Sequence, residues 1–97
     1  MALARITTFE GGTADGIRAA AEEVKSRAAA GPPEGVTSNG FTFLVDPEGG
    51  RAMFIGLFES DDDLRSSEAA LEAMDVPEGM GARRSVDVYE VGVDLRL

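Results

Sequence analysis

The chain has 97 residues, 18 acidic against 9 basic for a formal net charge of −9 at neutral pH, and contains no cysteine, histidine or tryptophan. A chain of this length builds one domain, 1–97, with a modest core and no room for a separate catalytic module. The missing side chains remove disulfides, thiolate nucleophiles, the commonest general base and the commonest metal ligand. The negative charge opposes any phosphate backbone, so nucleic acid is not an expected partner.

The start, Met1-Ala2-Leu3-Ala4-Arg5, lacks the basic-then-apolar layout of a signal peptide, and no apolar run approaches the thickness of a bilayer. The expectation is a soluble cytoplasmic protein with no membrane partner. Eight arginines against the lone Lys25, with abundant alanine and glycine, fit a GC-rich bacterial genome.

Leu3 to Phe9 is short, partly alternating and followed by Gly11-Gly12, as a first strand should be. Thr13 then reads as a helix N-cap with Asp15 in the first turn. Ile17, Ala20, Ala21, Val24 and Ala28 recur at helical spacing, and Gly31 before Pro32-Pro33 closes the helix. Phe41 to Val45 and Ala52 to Phe58 are apolar runs joined by Asp46-Pro47-Glu48-Gly49-Gly50, which is hairpin chemistry. Ser60 caps a second helix with Asp61, Asp62 and Asp63 in its first turn. Leu64, Ser67, Leu71 and Met74 form its inward stripe, and Pro77, Gly79 and Gly81 prevent its continuation. A last strand is expected from Arg84 to Arg96, well over average length. Its apolar phase changes from Val86 and Val88 to Val91, Val93, Leu95 and Leu97. That change predicts a bulge near Tyr89-Glu90 and a tail reaching a partner chain.

The order is βαββαβ, and it repeats. Phe9-Glu10 and Phe58-Glu59 end equivalent strands, while Pro33-Glu34-Gly35-Val36 and Pro77-Glu78-Gly79-Met80 follow equivalent helices. A duplicated βαβ unit predicts an α+β, ferredoxin-like fold, with a four-stranded antiparallel sheet and two helices on one face. The other face should then be polar in a monomer. Here Phe41, Phe43 and Val45 oppose Leu44, and Met53, Ile55 and Leu57 oppose Phe54 and Phe58, so both faces are apolar. A homodimer packed sheet to sheet is the economical reading.

With that order, the ending Phe58-Glu59-Ser60 before an acidic helix start resembles the dimeric α+β barrel superfamily, which includes antibiotic-biosynthesis-monooxygenase-like, haem-degrading and stress-responsive proteins. The resemblance runs over the whole chain and implies a homodimer closing into an α+β barrel. Its oxygenase members usually carry tryptophan where this chain has Phe58, and often a histidine on the next helix, so the resemblance carries over no catalytic residue. A fold so widely reused does not transfer an activity.

The remaining motifs have ordinary structural readings. Asp61-Asp62-Asp63 is helix-start chemistry, and no metal is predicted. Gly11-Gly12-Thr13 lacks phosphate-loop spacing and reads as a flexible connection. Arg83-Arg84 reads as a charged strand start. Arg5 falls on a central strand and requires a carboxylate, for which Glu59 or Glu90 is expected. The alanine stripe of the first helix, facing Phe41, Phe43, Met53 and Phe58, is expected to pack closely on the sheet rather than leave a cavity. Arg5, Asn39, Phe54, Phe58 and Tyr89 are the candidate ligand-binding residues for an apolar small molecule. No cofactor is expected. The sequence alone favours a binding or structural protein over a cofactor-independent monooxygenase-like enzyme acting on an aromatic or polyketide-like substrate, without deciding between them.

Overall fold

The computed structural model describes residues 2–31 and 33–95. In chain order these form β1 (Leu3–Gly11), α1 (Ala14–Ala28), β2 (Gly40–Asp46), β3 (Arg51–Phe58), α2 (Asp61–Ala73) and β4 (Gly81–Glu90). The strands make one antiparallel sheet in the order β2-β3-β1-β4. Ala20 of α1 packs with Phe9, and Glu72 of α2 reaches Arg5. Phe9 and Arg5 lie on the same side of β1, so both helices cover one face. This is the ferredoxin-like α+β arrangement that the repeat predicts.

Local signals set the helix starts. Thr13 and Ser60 are extended N-caps whose side-chain oxygens accept the amides of Gly16 at 3.0 Å and Asp63 at 3.2 Å. Each such cap satisfies one otherwise unpaired first-turn amide and is worth about 1 kcal/mol. Helix α1 buries Ile17, Ala20 and Val24, while Ala28 near its end is exposed. Helix α2 buries Leu64 and Ser67. Met74 is not part of the inward stripe: it is the C-cap, its backbone has already turned extended, and its side chain is exposed.

The hairpin is slightly longer than the sequence indicates and is closed by Asp46 and Arg51, whose Nη2 donates to Asp46 Oδ2 at 2.6 Å. That bond first, then the Gly49 amide, holds the Asp46 carboxyl below the usual carboxylate range. The bond's contribution is therefore present above the ordinary aspartate pKa and is lost as pH falls through the lowered one.

Strand β4 differs most from expectation. It begins at Gly81 and ends at Glu90 rather than running from Arg84 to Arg96. It ends there because β1, its only neighbour in the sheet, ends too: Leu3 pairs with Glu90, and a last bond runs from the Val91 amide to the Ala2 carbonyl. Val93 and Leu95 beyond it are exposed, and Arg96 and Leu97 lie outside the described residues. The irregularity expected at Tyr89-Glu90 falls instead at Thr8/Phe9, where Thr8 pairs with Ser85 and Phe9 with Arg83, so that Arg84 is the extra residue.

In-register rows define the covered face. Phe43, Phe54, Thr7 and Val86 form one row, with Phe41, Gly56, Arg5 and Val88 beside it on one side and Val45, Ala52, Phe9 and Arg83 on the other. The uncovered face carries Ile6, Met53, Ile55 and Leu57, all half-buried, flanked by exposed Leu44 and Tyr89. Met53 therefore does not face α1, since alternation from Phe54 sends it to the other side.

One end of the helix–sheet layer is closed by Phe9, Ala20, Ala52 and Met80, with Phe43 and Phe54 packed against them. Backbone crowding accompanies that closure. Gly79 sits at φ +92°, and a methyl group on it would lie 2.7 Å from the Gly16 Cα. Gly31 has a similar φ of +96°, and among the described residues, its chain neighbours aside, nothing lies within 4 Å of such a methyl. Gly31→Ala is therefore expected to cost about 1 to 2 kcal/mol for left-handed strain alone, whereas Gly79→Ala should cost about 3 kcal/mol or more because α1 must also move. Equal losses on urea denaturation would show that the approach of α1 to this loop is not tight.

Candidate functional site

The other end of the layer is open. Between the helices and the sheet lies a cavity of about 690 Å³, within the range of small-molecule sites. This corrects the expectation of close packing. Two of its lining residues, Ala28 and Gly56, contribute little or no side-chain volume.

The cavity has an aromatic side and a polar side. On the β2–β3 side, Phe54 stacks on Phe43 with centroids 4.3 Å apart, tilts against Phe41 at 6.4 Å and meets Phe9 edge-on at 6.0 Å. The Phe58 ring folds back over Gly56, where a methyl would meet it at 3.2 Å, and is 1% exposed. Large side chains at Gly56 are thereby excluded, and the floor stays flat between Phe41 and Arg5.

On the β1–α2 side, Arg5 is 8% exposed. Its Nη1 donates to Thr7 Oγ1 at 3.1 Å and its Nη2 to Glu72 Oε1 at 3.0 Å. Its Nε, buried without an acceptor in hydrogen-bonding geometry, lies 3.4 Å from Glu68 Oε1. The other Glu72 oxygen accepts from Arg83 Nη1 at 3.1 Å. Arg5 thus pairs with Glu68 and Glu72, not with Glu59 or Glu90. The cause is geometric: Arg5 points to the covered face beneath α2, and Glu68 and Glu72, four residues apart, stand on one side of that helix. Glu59 instead accepts from the Asn39 side chain. Arg84, adjacent to Arg83, pairs with Glu10.

Residues 33–39 wall the cavity beside α2, through Pro33, Val36, Ser38 and Asn39. A fully buried serine anchors this wall: Ser67 Oγ accepts the Thr37 amide at 2.9 Å and donates to the Asp63 carbonyl at 2.8 Å. Ser38 Oγ adds bonds to the Gly40 and Leu57 carbonyls, both 2.9 Å.

Of the candidate ligand-binding residues, Arg5, Asn39, Phe54 and Phe58 all line this cavity. Tyr89 does not join them. It pairs with Ala4 on the uncovered face and is 59% exposed. Sequence reasoning passed over Glu72 and read Arg83 only as part of a charged strand start; the pairing of β1 with β4 and the placement of α2 bring both to Arg5. Among the described residues no cluster of three or more carboxylates, histidines or cysteines is arranged to hold a metal ion, and no helix is long and apolar enough to cross a membrane.

The buried guanidinium depends on carboxylates that are themselves only half-covered, with side-chain exposures of 40% for Glu68 and 48% for Glu72. Removing the arginine lets those carboxylates hydrate, whereas removing both charges strands a buried cation. Arg5→Met is therefore expected to cost about 1 kcal/mol or less, and the pair Glu68→Gln with Glu72→Gln about 3 kcal/mol or more. Urea denaturation should show that order, and the reverse order would mean that Arg5 is solvated. No family model matches this chain, and no curated protein or solved structure matches it.

Proposed function

We propose that this protein binds a small, largely apolar aromatic molecule in the cavity between its helices and its sheet, and does so without catalytic residues of its own. The observation that carries this reading is the aromatic floor of Phe54 and Phe41, with Phe43 stacked behind Phe54, bordering about 690 Å³ of space not filled by side chains. A cavity this large in a small chain forgoes apolar contacts that a tightly packed layer would gain. A ligand that occupies it restores them. The polar groups at its edge supply orientation rather than chemistry, since Glu72 is engaged by Arg5 and Arg83 and Thr7 by Arg5.

The same reading takes the chain as a homodimer of the dimeric α+β barrel type. Its support is the uncovered sheet face, where Ile6, Met53, Ile55, Leu57 and Leu44 form one contiguous apolar surface. Such a surface on a monomer is an association site. A second subunit placed face to face would cover it and leave both cavities on the outer sides of the paired sheets.

N-Phenyl-1-naphthylamine, an uncharged probe that brightens in apolar surroundings, tests the binding reading. Its fluorescence should rise with saturable binding to the wild-type protein. Ala28→Trp, which fills the mouth, and Phe54→Ala, which removes the floor, should each weaken binding by about tenfold or more. Unchanged binding in both variants would refer the signal to another surface and remove the proposal. Conversion of an aromatic ligand to an oxygenated product in aerated buffer, lost in the same variants, would instead favour the cofactor-independent enzyme.

The dimer is tested separately. Light scattering should give about twice the 10.2 kDa chain mass, and Ile55→Asp should give a monomer, since a charge buried unpaired in an interface costs several kcal/mol. A wild-type monomer at micromolar concentration would contradict it.

A further inference from the structure

We infer that the occupant of this cavity is electrically neutral: a planar aromatic molecule carrying an oxygen acceptor, held by the Arg5 guanidinium while its rings lie along Phe54 and Phe41. The inference rests on the binding reading above and adds the charge class of the ligand.

A buried arginine ordinarily marks a site for an anion, because its fork of donors matches a carboxylate or phosphate. Here that role is already taken. Glu72 accepts from Arg5 at 3.0 Å through one oxygen and from Arg83 at 3.1 Å through the other, and Glu68 lies 3.4 Å from Arg5. Two guanidinium groups and two carboxylates make this network formally neutral, and Arg27 and Asp75, which also line the cavity, add one charge of each sign. An anionic ligand seated on Arg5 would lie within a few ångströms of Glu68 and Glu72, in a partly desolvated place where like charges repel strongly. A cationic ligand would meet Arg5 and Arg83 in the same way.

A neutral oxygen escapes both penalties. Each Arg5 Nη carries two N–H groups, and the bonds to Thr7 and Glu72 engage one on each. The next donor can serve a carbonyl or phenol oxygen without disturbing the ion pairs. Position agrees with chemistry. Arg5 and Phe41 stand in the same cross-sheet row on either side of Gly56, which the Phe58 ring covers, so a flat ring system lying on that ring has aromatic surface along one side and the guanidinium at the other.

Three ligands with one ring system test this by calorimetry near neutral pH and about 0.15 M salt, where long-range effects of the net charge are screened: 2-naphthol, 2-naphthoate and 2-naphthylmethylammonium. The naphthol should bind at least about tenfold more tightly than either ion. Glu72→Gln, with Glu68→Gln as an independent second variant, should narrow the preference for naphthol over naphthoate by about tenfold, by removing the opposing charge. Naphthoate or the ammonium ligand binding as tightly as naphthol would overturn the inference while leaving the cavity reading intact. A preference unchanged in both variants would also overturn it, because the selectivity would not arise from this network. Failure of all three to bind the wild-type protein would overturn the cavity reading and the inference with it.

Discussion

A guanidinium on the covered face of the central strand sets how the two layers of this protein can meet. Arg5 lies on the helix-covered face of a central strand, and at 8% exposure it cannot rely on water. It is compatible with folding only because α2 brings Glu68 and Glu72 over it and β1 supplies Thr7. A cation buried in this way tolerates little displacement, because its desolvation cost is offset only by close contact with its carboxylates. The position of α2 over β1 thus has to satisfy this ion network as well as the burial of Leu64.

The rest of the layer divides around that network. On the Phe9 side, Phe9, Ala20, Ala52 and Met80 close the layer, and Gly79 lets α1 come down against the loop before β4. On the Arg5 side aromatic rings on the sheet stand opposite Val24, Ala28 and Leu71 of the helices, with space left between them. The unfilled volume is the geometric result. It also explains why Phe54 remains only partly buried although it is a large apolar residue on a covered face.

Much of this was legible in the sequence wherever the determining signal is local. Thr13 and Ser60 mark the helix starts because an N-cap is a contact over three residues, and the proline and glycines after Asp46 mark the hairpin because turn geometry is set by the residues within it. The duplicated Pro-Glu-Gly after each helix read correctly as equivalent connections, with Gly35 and Gly79 both at positive φ. What sequence reading missed is non-local. Glu68 and Glu72 are no better partners for Arg5 on paper than Glu59 or Glu90, since only the docking of α2 distinguishes them. The alternating Val91, Val93 and Leu95 read as strand, but a strand needs a neighbour, and β1 ends at Leu3. Tyr89 was assigned to the site although Val86 and Val88 already fix the alternation that sends it to the opposite face. Helical spacing gave the inward alanines, and it does not report how far the helix stands from the sheet.

The central claim is that the space beside Arg5 is an accessible cavity with an aromatic floor, and the most direct measurement is the set of intermolecular nuclear Overhauser contacts between a bound aromatic ligand and the phenylalanine rings. The account predicts contacts from the ligand ring protons to Phe54 and Phe41, together with a shifted Arg5 Nη resonance. Contacts confined to Ile55, Leu57 and Leu44 on the uncovered face, with no change at Phe54, would contradict it.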